Sequence, residues 1–329
     1  MTTAHKSRVL DMTRGDPFRL VLQFSLPLFC SNLLQQVYNL TDTALAGHLL
    51  GSAALAEIGA TAALYGLIMN FAFGMNNGLA LTVSRCFGAG EREGIRRAVG
   101  WMVTLSAAVS IVLTTVSLLG RGALLQVLQV PAEVWDGAAA YLTVILLGIP
   151  LTMLYNMEAA LLRAVGNSVT PLLFLLFSSV LNVGLDAAFM GPLGMGVRGA
   201  AVATVLAQGI SAVLGAVYLV RSYPELHFTP AHFKKSTRRA VMNMFWAGMS
   251  MGLMSAIYNL GSVALQSSIN ALGSVYITAQ TAARRMAEMY FIPGGALGIG
   301  VATFSSQNLG AGRRSRIGQS VRAALRIYF

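Results

Sequence analysis

Acidic residues embedded in long apolar runs are the features of this sequence with the most chemical consequence. Five stand in or at the edges of such runs: Asp42, Glu57, Glu158, Asp186 and Glu288. An ionised carboxylate in hydrocarbon costs about 2.5–3.5 kcal/mol on insertion scales, so each needs a partner, a proton or a water-filled cavity. Gln35 and Tyr38 precede Asp42 by seven and four positions, which puts all three on one face of a helix. Asn182 precedes Asp186 by four, again one face, in a run otherwise made of Leu, Phe, Val and Ser. The two polar stripes are expected to meet across a cavity. Two carboxyl groups brought together there resist ionising together, so proton uptake becomes available near neutral pH. A proton and a cation could then exclude each other.

The other acids read as structural. Glu57 stands at the outer mouth of its run, Glu158 lies five residues before Arg163, and Glu288 follows Arg284 by four, an ion-pair spacing on one helix. Cys30 and Cys86 form no framework, and His5, His48, His227 and His232 show no ligand spacing, so no metal site or cofactor is expected. The segment GGALGIG at 294–300 fits a nucleotide-loop spacing only loosely and is better suited to letting helices approach closely. An intramembrane enzyme would need clustered aspartates or a His and Asp pair to hold metal and phosphate. The sequence has no such cluster, so the chain is not expected to be an enzyme.

The elements that position these residues are helices in lipid. Of the 329 residues, 55% are hydrophobic and 11% charged, far too little charge to clothe a soluble protein of this length. A helix needs roughly 20 apolar residues to cross the hydrocarbon core. The charge-free windows 100–120, 137–157, 168–185 and 199–220 each suffice, as do 20–50 around Asp42 and 58–84 after Glu57. The charge-free stretch 240–283 is too long for one helix, and 270–276 is expected to turn it back as a second span. The fold class is therefore all-α and polytopic, with eight complete transmembrane helices and part of a ninth beginning near Ile317.

The net charge of +11 is distributed in alternate loops. Basic residues precede the first span (Lys6, Arg8, Arg14, Arg19) and follow the second (Arg85, Arg92, Arg96, Arg97), the fourth (Arg163), the sixth (Arg221, Lys234, Lys235, Arg238, Arg239) and the eighth (Arg313, Arg314, Arg316). The intervening loops hold only Arg121 and Arg198. That is the positive-inside pattern with a cytoplasmic N-terminus, and it accounts for the charge without a nucleic-acid partner. The short polar N-terminal segment has no apolar core before Phe18, so the first span itself is expected to direct insertion.

Two distant segments read alike: GLALTVSRCFGAGEREGI at 78–95 and GVATFSSQNLGAGRRSRI at 300–317. Their GAG turns begin at Gly88 and Gly310, an offset of 222 positions. Each turn follows an even-numbered span on the cytoplasmic side, which implies a parallel repeat of six helices about an axis along the membrane normal. A complete second copy would end near residue 444, about twice the repeat length. The expected organisation is a cytoplasmic N-terminal arm (1–18), a six-helix lobe (19–221), a cytoplasmic linker (222–240) and an incomplete second lobe (241–329).

The segments LPLFCSNLLQQVYNLTDTALAGHLLG at 26–51, FGAGERE, EAALLRAVGNSVTP at 158–171, LNVGLDAAF at 181–189 and SSQNLGAG at 305–312 resemble the MATE (multidrug and toxin extrusion) transporters. The motifs come in that family's order and spacing, over essentially the whole chain. The resemblance implies a two-lobe, six-plus-six helix bundle in the bacterial inner membrane, monomeric when complete. Its implied activity is secondary antiport: export of cationic lipophilic small molecules, drugs or toxins, driven by a proton or sodium gradient. It also implies that Asp42, Asn182, Asp186 and Thr204 form the first-lobe cation or proton site, with a sodium ion as one occupant. Gln35, Tyr38 and Asn156 match cavity-lining positions. The window 240–263 lacks the acid that the sodium-coupled NorM-like branch carries, which favours the DinF-like branch. Pro27 breaks the first helix's hydrogen-bond ladder and is a candidate pivot.

The chain departs from that family at its end, with no counterpart to the last three helices and most of the ninth. A C-terminally truncated chain is the expectation, and a non-transporting fragment is one alternative function. A lipid-linked precursor flippase of the same plan is the other; it would line its cavity with basic residues, whereas these spans are acidic or neutral inside.

Overall fold

The computed structural model describes residues 9–128, 130–234, 236–270 and 274–329; side chains are described except at 234 and at several positions between 259 and 288, Glu288 among them. Helices α1 (Pro17–Leu50), α2 (Ser52–Gly88), α3 (Arg92–Leu119), α4 (Trp135–Ala164), α5 (Val169–Met190), α6 (Val197–Ser222), α7 (Arg238–Asn270), α8 (Ser274–Gly310) and α9 (Ser315–Tyr328) succeed one another, with no strand among the described residues. The first seven are long and apolar enough to cross a bilayer. The expected eighth span is α8, 37 residues long. The expected turn around 270–276 falls partly outside the described residues.

The expected ninth span is a 14-residue helix. It carries the exposed Arg322 and Arg326 on one side and packs Ala324 and Tyr328 toward α1 and α8 on the other, so as far as it runs it is amphipathic rather than uniformly apolar.

Local chemistry sets the helix ends. Asp16 caps α1 by accepting from the Arg19 N–H at 3.0 Å, with Pro17 at the first helical position. The main core joins α2, α3, α4 and α6 through residues such as Met75, Leu79, Met102, Leu146 and Met153, all essentially inaccessible. Large apolar side chains point outward along the spans, among them Ile111, Val112 and Val116 on α3 and Val213, Val217 and Val220 on α6. Side chains that would be misplaced in water suit a lipid boundary.

The 222-residue repeat is written into the contacts. Helix α2 ends in a turn where the Glu91 N–H bonds to the Cys86 carbonyl at 3.1 Å and Gly90 holds φ +71°. Helix α8 ends the same way 222 positions on: the Arg313 N–H bonds to the Asn308 carbonyl at 2.8 Å, and Gly312 holds φ +72°. Only glycine adopts that left-handed geometry without strain.

These two helices cross each other closely. A Cβ at Gly88 would lie 2.0 Å from the Gln307 carbonyl oxygen, and one at Gly310 would lie 1.9 Å from the Arg85 carbonyl oxygen. Residues 85 and 307, like 88 and 310, are repeat equivalents, so the contact is reciprocal, as a two-fold relation requires. The same exchange holds one helix earlier: α7 packs on α2, and α1 packs on α8.

Candidate functional site

Helix α1 brings its polar stripe against α5 and α6. The Ser31 hydroxyl donates to the Pro27 carbonyl at 2.8 Å, next to the one interruption in the α1 ladder. Four turns on, the Asp42 carboxyl comes within hydrogen-bonding reach of the Asp186 carboxyl on α5. Asp186 is fully buried, Asn182 is 1% exposed and Thr204 6%.

With its amide nitrogen turned toward the carboxylate, Asn182 donates to Asp186 Oδ2 at 2.8 Å and accepts from the Thr204 N–H at 3.2 Å. The Thr204 hydroxyl lies 3.5 Å from the Tyr38 hydroxyl and donates to the Ala200 carbonyl at 3.1 Å. Four sequence-identified residues, Asp42, Asn182, Asp186 and Thr204, thus form one cluster, with Tyr38 at its rim.

The stripes were expected to face each other across a cavity. In the structure α1 packs on α5, and the Asp42 and Asp186 carboxyls lie within hydrogen-bonding reach of each other. Two cavities lie away from this site: one of about 290 Å³ lined by Cys86, Arg97 and Trp101, and one of about 300 Å³ between α8 and α9.

Electrostatics decide what the cluster can do. Asp42 Oδ1 and Asp186 Oδ1 are both buried without a hydrogen-bond partner. The described ion pairs, Arg14–Asp11, Arg96–Glu93 and His232–Glu93, all lie outside this site. Two ionised carboxylates 4 Å apart repel by about 4 kcal/mol even at an effective dielectric of 20. The pair therefore favours a proton on one acid, or a cation between them, over double ionisation. The donors are hard oxygens, which suits a proton, a sodium ion or an organic cation and does not select a soft metal.

Sequence reasoning missed a ring of neighbours. The phenols of Tyr65 on α2 and Tyr141 on α4 lie within electrostatic reach of Asp42. Tyr65 also comes within hydrogen-bonding reach of Gln208 on α6, whose amide oxygen accepts from the Thr152 hydroxyl at 2.5 Å. An aromatic residue or a lone glutamine in an apolar run reads as core, and no spacing marks it otherwise. Of the expected cavity-lining residues, Gln35 is exposed and donates to Asn39 Oδ1 at 3.2 Å, while Asn156 donates to the Thr152 carbonyl at 2.9 Å. Neither is in contact with the carboxylates through a described hydrogen bond.

The remaining acids divide. The Glu57 carboxyl rests where a side chain at Gly137 would stand, in the first turn of α4. A negative charge is favourable at that helix end. Glu158 is 5% exposed and makes no ion pair with Arg163, which donates instead to Asn77 Oδ1 at 3.1 Å. The Glu288 side chain lies outside the described residues.

The model of the MatE family matches residues 27–188 and 250–329. The probable multidrug resistance protein YpnP of Bacillus subtilis is 28% identical over 310 residues, covering 94% of this chain and 69% of that protein. The probable multidrug resistance protein NorM of Thermotoga maritima is 24% identical over 302 residues, and the chain spans 64% of its length. A crystal structure of MATE in the straight conformation superposes with a TM-score of 0.86 at 25% identity, over 96% of this chain and 71% of that one.

Proposed function

This chain belongs to the MatE family, whose members are transporters rather than enzymes, and on that premise we propose that it exports cationic, lipophilic small molecules in exchange for protons. Sodium ions are the second candidate for the coupling ion. The observation that carries the reading is the close approach of Asp42 and Asp186, each with an unpartnered buried oxygen and, among the described residues, no ion pair with a cationic side chain.

In this mechanism the ionised pair accepts the organic cation. A proton arriving from outside occupies one carboxyl, removes the negative charge that held the cargo and favours its release. Asn182 and Thr204 fix the orientation of Asp186 through both phases. Tyr38, Gln35 and Asn156 present the surfaces over which cargo reaches the acids. The absence of an acid over 240–263 supports the DinF-like branch, in which coupling resides in the first lobe.

The charge asymmetry of the loops supports a bacterial cytoplasmic membrane with the N-terminus inside, and lobes at 19–221 and 241–329 joined by the linker 222–240. The lipid bilayer is then the chain's principal partner, nucleic acid is not one, and the transporter acts as a monomer. A lipid-linked precursor flippase would need a basic surface for its phosphates; the carboxylate pair is of the opposite sign.

The test is ethidium efflux from drug-sensitive bacteria expressing the chain, with Asp42→Asn and Asp186→Asn alongside. Loss of efflux in both variants supports the reading, and efflux indifferent to both sinks it. Everted vesicles energised by a pH gradient or a sodium gradient then separate the two coupling ions.

A further inference from the structure

The carboxylate pair leaves one buried acid of the first lobe without a role. Glu158 lies on α4 six residues before its end, 5% exposed, and its Oε1 has no hydrogen-bond partner. Its Oε2 occupies space that only a glycine leaves open: a Cβ at Gly215 on α6 would lie 2.3 Å away. A cavity of about 10 Å³ adjoins it, shared with Tyr155, Leu162, Pro171, Phe174 and Ser211. That is at the threshold for one water-sized occupant. The Ser211 hydroxyl on that cavity is 1% exposed and has no partner either.

The charges around Glu158 do not neutralise it. Arg163 turns away from it, donating to Asn77 Oδ1 at 3.1 Å and stacking over the Phe73 ring at 5.5 Å from the guanidinium carbon. On its own helix Tyr155 is the titratable group within electrostatic reach. Helix α5 presents Pro171 and Phe174 and helix α6 presents Ser211 and Gly215, none of which titrates. An ionised Glu158 in this conformation would be a buried charge without an ion pair among the described residues, a costlier arrangement than the neutral acid.

We propose that Glu158 is a second exchangeable-proton site of the chain, separate from Asp42 and Asp186, loading and unloading at the end of the first lobe that bears Arg163 and Arg221. The inference rests on the orientation and proton coupling proposed above. Along α6 the positions facing the two sites, Thr204 and Gly215, are eleven residues apart, or about 16 Å at the helical rise. The two sites therefore exchange protons with different halves of the membrane.

In the unloading step the O–H bond of the Glu158 carboxyl breaks and the proton passes to a water entering from the cytoplasmic side. The electron pair stays on the carboxylate, and the Ser211 hydroxyl rotates to donate to it. Reprotonation reverses the step. This revises the sequence reading of Glu158 as a structural acid, which rested on its nearness to Arg163.

The experiment is pH-stepped infrared difference spectroscopy on the purified full chain in the Asp42→Asn, Asp186→Asn background, with and without Glu158→Gln. Gln is isosteric and neutral, and the melting temperature reports whether the fold survives. The expected result is a protonated-carboxyl band that disappears as pH rises and is missing from the Glu158→Gln protein. On the otherwise wild-type chain, Glu158→Gln should lower dye efflux at least tenfold and flatten its pH profile. A Glu158 band that persists at every pH, or no Glu158-dependent band at all, overturns the proposal, as does wild-type efflux with an unchanged pH profile. If the unsubstituted chain exports no dye, the transport reading fails, while the infrared arm still decides whether Glu158 exchanges its proton.

Discussion

Ser84 and Ser306 occupy equivalent positions of the repeat, and each donates its hydroxyl proton to a main-chain carbonyl of the other's helix. Ser84 Oγ reaches the Thr303 carbonyl at 3.3 Å and Ser306 Oγ the Leu81 carbonyl at 2.6 Å. Residues 81 and 303 are themselves 222 positions apart, so one bond is the image of the other. The crossing of α2 and α8 is therefore the seam on which the two lobes are hung.

The first prediction concerns that seam. Gly88→Ala and Gly310→Ala each drive a methyl group into a backbone carbonyl that cannot move aside like a flexible side chain. Overpacking of this kind costs about 1–3 kcal/mol and sometimes more. Both variants should lose thermal stability in detergent by similar amounts. Gly59→Ala, where nothing lies within 4 Å of the added atom, should melt like the wild type. A Gly310→Ala protein that melts unchanged would contradict the reciprocal crossing.

The N-terminal arm is tied to the same end of the molecule. Asn308 donates to the Met12 carbonyl at 2.9 Å and accepts from Arg316 Nε at 2.9 Å, while Gln307 accepts from the Met12 N–H at 3.2 Å and donates to the Ala164 carbonyl at 3.0 Å. Both side chains are fully buried. Asn308→Ala leaves a buried carbonyl and a guanidinium N–H without partners, a cost of about 1–3 kcal/mol. Limited proteolysis should cut the arm of that variant faster than that of the wild type, and an equal rate would show that the arm is held by other contacts.

Asn167 offers a purely structural control. Its side chain accepts from the Thr170 N–H at 3.0 Å and donates to the Thr170 hydroxyl and the Tyr223 hydroxyl, both at 2.8 Å, joining the start of α5 to the end of α6. Asn167→Ala should lower stability by about 2 kcal/mol through the lost hydrogen bonds to the Thr170 N–H and to the Tyr223 hydroxyl. Dye affinity in the molecules that remain folded should not change. A selective loss of affinity would mean that this corner communicates with the carboxylates.

Much of this architecture was legible in the sequence, and the reasons differ by feature. Asp42, Asn182 and Asp186 stood out because a polar residue in an apolar run is costly enough to demand a partner, and four-residue spacing fixes its face. The repeat was legible because a left-handed turn requires glycine, so GAG recurs wherever the turn recurs. What spacing could not show is which helices touch. Nothing in the sequence indicated that Gly88 and Gly310 pack on each other's helices. Tyr65, Tyr141 and Gln208 were hidden because a single aromatic or amide within a span has the composition of core. Arg163 was read with Glu158 because they are near in sequence, yet its long side chain reaches Asn77 on another helix.

The carboxyl pair also predicts a particular pattern of loss. Asp42 and Asp186 act as one unit, so each single change to Asn should cost at least tenfold in initial efflux rate. The double change should cost little more than either alone. Multiplicative losses would mean that the two acids work independently.

The most direct test of the central claim is competition between protons and a cationic dye for the purified chain, followed by fluorescence anisotropy as a function of pH. If Asp42 and Asp186 hold either a proton or the cation, the dye Kd rises as pH falls, by about tenfold per pH unit for one exchanged proton. That dependence should vanish in the Asp42→Asn, Asp186→Asn protein. Dye binding indifferent to pH in the wild type, or equally pH-dependent in the doubly substituted protein, would contradict the account.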